Sequence, residues 1–531
     1  MGLTRRISPF ALFVLGINAI VGSGWLFAPM YAAKIAGSAA IISWIIGGGA
    51  AMLIAFTFAE LSVMLPVAGG TAQIPELSHG RFVSFILSWM AWLSSLILAP
   101  IEVQAVLQYA SLYFPWLMHS VDGAHVLTLA GGCWATVLML LLCCVNIFSF
   151  SGLTRFNYLV FICKIFVICT TIFTILHTQF NPANFAGFLD TTQSAHGWQS
   201  IFTAVAAGGI AFAFNGFKSG VEMAGEAKKQ SIAIPLSTAG SVAACLLLYL
   251  GLQICFIGAL DPASVAGGWD HLNFTGDVGP FAGLAAGLGL LWLVKLLYVD
   301  ALSSPTGAGL IYVTSTARIL YAMSKIGYMP RFLTRLNKQH MPVYAILVNF
   351  VLGMFSFLPL PGWQAMVNFL VSVLVITYAM GPIALMSLRL SLPNEKRPFR
   401  LPAAQFFCML AFYCCNLFGY WTGWETMSKL AIVLTAGLAI FAFAYLRGSI
   451  KLERSELKSG VWMVPYLFGL IAISYLGSFG GLNQIPFGWD FLVIAIFSAI
   501  IFYAAVQSRA AITQEEITEF LQSDSLLPQQ T

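Results

Sequence analysis

Apolar runs of about 20 residues or more recur along this sequence, and few polar residues interrupt them. A helix of about 20 apolar residues crosses the roughly 30 Å hydrocarbon core of a bilayer. The 531 residues are 59% hydrophobic and only 8% charged, whereas a soluble domain has about 25% charged residues. The chain is therefore expected to fold within a membrane.

The apolar runs predict fourteen membrane-spanning helices. They lie near residues 8–33, 37–63, 83–111, 124–148, 155–177, 200–224, 235–260, 281–312, 342–359, 364–389, 402–421, 430–446, 461–478 and 488–507. Strands are not expected, because the runs do not alternate with polar residues and a spanning backbone must satisfy its own polar groups. The predicted fold class is an all-α polytopic membrane protein.

The basic residues indicate the orientation of the chain, because Lys and Arg concentrate on the cytoplasmic side of a bilayer. If the N-terminus is cytoplasmic, twenty of the 25 basic residues lie inside, two lie outside and three lie within spans. Both termini are then expected in the cytoplasm, with the chain in the inner membrane. The net charge of +5 reflects this topology and does not indicate a nucleic-acid partner.

Two of the predicted spans contain residues that can interrupt a helix. The first has Gly22, Ser23 and Gly24 at its centre, and the sixth has Asn215 and Gly216. Small residues can also serve close helix packing. Paired interruptions, however, are typical of inverted-repeat transporters, in which a half-helix N-terminus binds a carboxylate and freed carbonyls bind a cation. An amino acid carries both of these charges.

Five segments of the sequence resemble the amino acid-polyamine-organocation (APC) superfamily of transporters. They are VGSGWLFAP (21–29), AFTFAELSVMLPVAGGTA (55–72), FNGFKSGVEMAGEAKKQSIAIP (214–235), DALSSPTGAGLIYVTSTARILYAMSKIGYMP (300–330) and LPNEKRPFRLP (392–402). The two additional spans of the tail make the chain similar to the bacterial aspartate-proton symporter branch of this superfamily.

The resemblance implies a core of five plus five inverted helices that works by alternating access. This core is expected at 1–390, helices 11 and 12 at 391–446, and helices 13 and 14 with a short cytoplasmic tail at 447–531. The substrate is expected between the interrupted spans. The implied substrate-binding residues are Ile20, Gly22, Ser23, Gly24, Phe212, Asn215 and Gly216.

Lys164 lies about nine residues into the fifth span, roughly 13 Å deep at 1.5 Å per residue. A charge at this depth costs about 2.5–3.5 kcal/mol or more, so it indicates function. In proton-driven members of the superfamily, a lysine at the matching position takes the place of a bound sodium ion. The resemblance therefore implies a proton-coupling site of Lys164 with Ser303, Ser304 and Asp300, and the alternative is a fixed ion pair between Lys164 and Asp300.

Lys218 follows the interruption of the sixth span, where members of the superfamily commonly have an acid. A cation there would repel cationic substrates and could bind the second carboxylate of aspartate or glutamate. Alternatively, Lys218 and Glu222 pair along one helix face at a spacing of four residues. That alternative predicts a neutral amino acid permease or exchanger.

Other functional classes find little support in the sequence. No nucleophile with a base, no metal-ligand cluster and no phosphate-binding loop is evident, so an enzyme or a receptor is a remote alternative, and no cofactor or metal is expected. The expected partners are an amino acid, protons and the lipid bilayer. The oligomeric state and the roles of Lys295 and Glu102 stay open.

Overall fold

The computed structural model describes residues 7–65, 70–121, 124–148, 153–186, 197–222, 224, 227–272, 279–337, 341–358, 360, 362–448 and 454–510. Within these ranges helices α1 to α21 follow one another along the chain. They are Pro9–Ile20, Gly24–Ala36, Ala40–Met64, Gly70–Ala110, Leu129–Phe148, Leu153–Thr178, Trp198–Ala207, Ile210–Ala213, Lys218–Glu222, Gln230–Pro235, Ser241–Ala259, Pro262–Val265, Pro280–Gly287, Leu291–Ile326, Val343–Phe355, Gly362–Ser391, Ala404–Trp421, Trp424–Leu446, Arg454–Gly460, Met463–Leu476 and Trp489–Gln507.

The first predicted span is interrupted where the sequence indicated. Helix α1 ends at Ile20 and helix α2 begins at Gly24, which leaves Val21, Gly22 and Ser23 between them. Carbonyl groups at the end of α1 and amide groups at the start of α2 therefore lack helical partners. At an interrupted span, a transporter can bind a carboxylate with such amide groups and a cation with such carbonyl groups.

The sixth predicted span is interrupted over a longer stretch than the sequence suggested. Helices α7 and α8 meet at an angle of 43° around Gly208 and Gly209, before the predicted break at Asn215 and Gly216. Gly209 has φ +86°, which a residue with a side chain adopts only under strain. A 3₁₀ turn over Asn215–Phe217 then connects to α9.

Two of the predicted span boundaries are wrong. The run at 281–312 is not one helix, because α13 ends at Gly287 and α14 begins at Leu291 and continues to Ile326. Gly289, with φ +74°, forms the turn between them inside an apolar run that gave no polar signal of a break. The run predicted from residue 124 begins as a helix at Leu129, after an antiparallel hairpin of β1 (Met118–Val121) and β2 (Ala124–Leu127).

Each of the fourteen predicted runs contains a helix, but the number of membrane crossings stays a prediction. In the part of the chain that the structure describes, nine helical segments are long and apolar enough to span a bilayer, or ten when the bent α7–α8 pair is included. Helices α1 and α15 are apolar but shorter. The chain is thus a multi-pass membrane protein.

The interior of the bundle is formed by helices that expose little surface. Helix α16 is buried along nearly its whole length, and it contacts α3, α4 and α17. The outer helices α5, α6, α18 and α21 instead expose large apolar side chains, such as Phe166 on α6 and Ile432 on α18. Apolar side chains on the outside fit a lipid environment.

Glu60 near the end of α3 joins three segments of the chain. Its fully buried carboxylate accepts hydrogen bonds from Arg389 Nε at 2.8 Å and from the Leu401 amide at 2.6 Å. A second guanidinium nitrogen of Arg389 donates to the other carboxylate oxygen at 2.6 Å. This two-pronged pair fixes α3 to α16 and to the segment that follows α16.

Candidate functional site

Lys164 on α6 reaches into the interruption between α1 and α2. Its Nζ donates to the Val21 carbonyl at 2.7 Å and lies 3.4 Å from the Asn18 carbonyl. The side chain is only 2% exposed. The ammonium group therefore occupies the place at which freed carbonyls of the first span can hold a cation.

Two acidic side chains lie close enough to Lys164 to interact with its charge, Glu102 on α4 and Asp300 on α14. Both are buried, at 1% and 2% exposure. The indole of Trp25 lies beside Asp300, whose Oδ2 accepts no hydrogen bond among the described residues. The lysine thus faces two carboxylates rather than Asp300 alone.

Glu102 provides a contact that the sequence did not reveal. Its Oε2 accepts a hydrogen bond from the Ser23 amide at 3.1 Å, and its Oε1 lies 3.4 Å from the same nitrogen. The Ser23 side chain does not cap α2 itself. A glutamate from a distant helix therefore caps α2 at the position predicted to bind the substrate carboxylate.

A buried and a half-buried tyrosine satisfy further carbonyls of the interrupted spans. The Tyr249 hydroxyl on α11 lies 3.2 Å from the Ile20 carbonyl and 3.1 Å from the Ala213 carbonyl, so it connects the first and sixth spans. The Tyr312 hydroxyl on α14 lies 3.4 Å from the Ala19 carbonyl. Neither tyrosine was a predicted site residue, because nothing local in the sequence distinguishes it from a core aromatic.

The interrupted spans contact each other directly through their glycines. A Cβ atom at Gly216 would collide with the backbone of Ala19 and Ile20. A Cβ atom at Gly24 would lie 3.1 Å from the Ala213 Cα. The predicted substrate-binding residues of both spans are therefore brought together in a closed, tightly packed arrangement.

Trp363 on α16 closes one side of this arrangement. Its Nε1 donates to the Ser23 hydroxyl at 3.1 Å. Its ring contacts Phe212 edge to face, with 5.7 Å between the ring centroids. Phe212 is 4% exposed, so this predicted substrate-binding residue lies inside the site, in contact with a second aromatic residue that the sequence did not indicate.

Lys218 lies on the other side of the sixth span's interruption. Its Nζ is 4.1 Å from the centre of the Tyr378 ring, a cation-π geometry. The Tyr378 hydroxyl donates to the Asn215 side-chain oxygen at 2.5 Å. The side chain of Glu222 lies outside the described residues, so its predicted pairing with Lys218 stays a prediction.

The two serines predicted beside Lys164 have different positions. Ser304 is buried, and its hydroxyl has no hydrogen-bond partner among the residues that the structure describes. Ser303 is exposed, and its hydroxyl lies 3.4 Å from the Asp300 carbonyl of its own helix. The structure therefore brings Ser304 and Asp300, but not Ser303, into the interior of the site.

Comparison with known sequences and structures identifies the family. A family model described as "Amino acid permease" matches residues 7–441. The chain belongs to the amino acid permease family. This permease is 38% identical over 513 residues to the "Glutamate/serine transporter AimA" of Bacillus subtilis, covering 95% of the permease and 94% of that protein. It is 32% identical over 508 residues to the "Aspartate-proton symporter" of the same organism, covering 94% and 96%.

Solved structures with the same fold are more distant in sequence. A manganese transporter of Eremococcus coleocola matches the permease with a TM-score of 0.53 at 12% identity, over 93% of the permease and 95% of that chain. A nucleobase-cation-symport-1 family transporter matches with a TM-score of 0.52 at 13% identity, over 98% and 97%. They confirm the predicted five-plus-five fold with its interrupted first and sixth spans.

The family and its relatives confirm the coarse functional prediction. This permease is a multi-pass amino acid transporter and not an enzyme. The predicted superfamily is confirmed as well. The roles of the predicted site residues stay predictions.

Proposed function

We propose that this permease is a proton-coupled symporter of acidic amino acids in the inner membrane, with both termini in the cytoplasm. The observation that carries the proposal is the hydrogen bond from the Lys164 ammonium to the Val21 carbonyl in the interruption of the first span. Loss of a proton from this ammonium removes a charge and a donor from the break. Protonation can therefore change the contact between α6 and the first span. Proton coupling requires such a link between protonation and conformation.

The proposed substrate orientation rests on the groups at the two interruptions. The α-carboxylate binds at the break of Gly22, Ser23 and Gly24, where the helix dipole at the N-terminus of α2 favours a negative charge. Ile20 lies with the carboxylate-binding residues. The substrate ammonium binds on the side of the sixth span, which Phe212, Asn215 and Gly216 line. Proton exchange takes place at Lys164, with Asp300 and Ser304 as its proposed partners.

An acidic substrate is favoured by Lys218 and by the relatives. Lys218 lies next to the turn at Asn215–Phe217 and offers a positive charge for a side-chain carboxylate. One relative is named a glutamate/serine transporter, and the other is named an aspartate-proton symporter. Residues 1–390 are the proposed transport core, and 391–446 and 447–531 are the proposed additional helices.

Uptake into proteoliposomes tests the proposal. Labelled aspartate, glutamate, serine, alanine and lysine are supplied with and without an inwardly directed proton gradient, and with sodium replaced by choline. We expect the gradient to drive accumulation of aspartate and glutamate in the absence of sodium. Accumulation that requires sodium, or that ignores the proton gradient, would contradict proton coupling.

A neutral amino acid permease or exchanger is the second candidate. The contact between Lys218 and the Tyr378 ring favours it, because a lysine that stabilises an aromatic residue need not contact substrate. The relative described as a glutamate/serine transporter also carries a neutral amino acid by its name. The two candidates make opposite predictions for a Lys218 variant.

Replacing Lys218 by methionine is expected to weaken the binding of acidic substrates selectively. Methionine keeps an apolar stem over Tyr378 but removes the charge. A hydrogen bond to a charged group contributes about 1.5–3 kcal/mol, so the half-saturation concentration for aspartate should rise roughly 10- to 150-fold. Alanine uptake should change far less. The measurement is competition between the two substrates in proteoliposomes.

Glu222 provides the control for this prediction. If Lys218 only neutralises Glu222, Lys218→Ala leaves that acid without its counter-charge, and the double variant Lys218→Ala/Glu222→Ala recovers expression and transport of both substrates. If Lys218 binds substrate, the double variant stays deficient for aspartate alone. Equal loss of both substrates with recovery in the double variant would exclude the acidic-substrate assignment.

A further inference from the structure

Glu102 is the acidic residue that the proposed coupling scheme does not use. It lies on α4, two residues after Pro100, and its side chain is 1% exposed. Its carboxylate accepts the amide of Ser23, the residue immediately before α2. Helix α2 is 13 residues long, so its N-terminal dipole is fully developed there.

The Glu102 carboxylate and the Lys164 ammonium lie at the two sides of one interruption. The carboxylate binds an amide at the start of α2, and the ammonium binds the Val21 carbonyl after the end of α1. An amino acid would bring its carboxylate to the same amide. In the closed arrangement, the Glu102 side chain therefore satisfies the backbone group that a substrate carboxylate would otherwise satisfy.

The space and the charge beside Ser23 leave no place for a second carboxylate while Glu102 is there. A Cβ atom at Gly22 would lie only 2.7 Å from Glu102 Oε1, so the carboxylate already lies against the backbone of the interruption. The titratable groups that face Glu102 include Lys164, Tyr249 and Tyr312. Lys164 is the cation of this group, and it is already shared with Asp300.

We propose that Glu102 sets the affinity of the site for its substrate, because its carboxylate occupies the α-carboxylate position and must release the Ser23 amide before an amino acid binds. The inference rests on the proposed orientation of the substrate. Helix α4 can accommodate the release, because Pro100, two residues before Glu102, removes one backbone hydrogen bond of the helix. Gly309 on α14 also carries no side chain beside Glu102; a Cβ atom added there would lie 3.8 Å from the Glu102 Cβ. The residue is an internal competitor of the substrate.

The first test compares aspartate binding to the parent protein and to Glu102→Gln in detergent. Glutamine keeps the shape of the side chain, but a neutral acceptor bonds an amide about half as strongly as a carboxylate does. Aspartate should therefore bind Glu102→Gln more tightly, by about tenfold. The α-amide of aspartate, which lacks the α-carboxylate, should show no such gain.

The matched control is Asp490→Asn. Asp490 is also a fully buried acid that accepts two backbone amides, those of Gly488 and Phe491 at 2.9 Å, but it lies on α21 away from the interruptions. Its variant should bind aspartate as the parent does. A gain of affinity in both variants would show a general loosening of the protein and would overturn the proposal.

The second test uses Glu102→Ala and added acetate, and its readout is thermal unfolding. Removal of the side chain leaves the Ser23 amide open to a free carboxylate. Acetate should therefore raise the melting temperature of Glu102→Ala more than it raises that of the parent. If aspartate binding to Glu102→Gln is unchanged or weaker, the inference is wrong. A parent protein that binds no amino acid would instead contradict the proposed function itself.

Discussion

Replacing Lys164 by alanine is expected to abolish accumulation of substrate under a proton gradient. The variant loses the cation that bonds the Val21 carbonyl and leaves Glu102 and Asp300 without their shared positive charge. The amine to which proton exchange is assigned is then missing when the first span rearranges. The ratio of internal to external aspartate should fall to about one, as expected for carriage without coupling.

Lys295→Ala is the matched control, because Lys295 lies on α14 near the start of that helix and is exposed. Its variant should accumulate aspartate like the parent. Size-exclusion chromatography and thermal unfolding verify that the Lys164 variant is folded. A folded Lys164→Ala that concentrates aspartate as well as the parent does would assign coupling to another residue.

Gly216→Ala is expected to cause the largest loss of transport among single methyl additions at the interruptions. The new methyl group would collide with backbone atoms of Ala19 and Ile20, which cannot move aside as a flexible side chain could. Overpacking of this kind costs about 1–3 kcal/mol. The closed arrangement should become roughly 5- to 150-fold less populated, and the uptake rate should fall with it.

Gly49→Ala on α3 is the control for this prediction, because a Cβ atom there would meet nothing within 4 Å. Its uptake rate and melting temperature should match those of the parent. The measurement is the initial rate of aspartate uptake at equal amounts of reconstituted protein. An uptake rate in Gly216→Ala equal to that of Gly49→Ala would show that the two interrupted spans do not close on each other during transport.

The sequence predicted the parts of the site that depend on local breaks in an apolar helix. Gly22 and Ser23 interrupt the first span because small residues in an apolar run carry a clear local signal. Lys164 was recognisable because a charge in such a run is costly. The span boundary at Gly289 was missed, since a turn made of glycine and leucine does not lower the hydropathy of its run.

The partners that satisfy the interrupted backbone could not be predicted in this way. Tyr249, Tyr312 and Trp363 come from helices far along the chain, and each resembles an ordinary core aromatic in the sequence. Glu102 was visible as an acid within a span, but its acceptor role toward Ser23 depends on the packing of α4 against the first span. Such contacts follow from tertiary structure and not from hydropathy or spacing.

Proton movement during substrate uptake tests the central claim most directly. A pH-sensitive dye trapped inside proteoliposomes reports internal acidification when aspartate is added outside, with potassium and valinomycin holding the membrane potential at zero. Proton-coupled symport through Lys164 predicts acidification with the parent and with Lys295→Ala, and none with Lys164→Ala. Aspartate uptake by the parent without acidification, or acidification that persists in Lys164→Ala, would contradict the account.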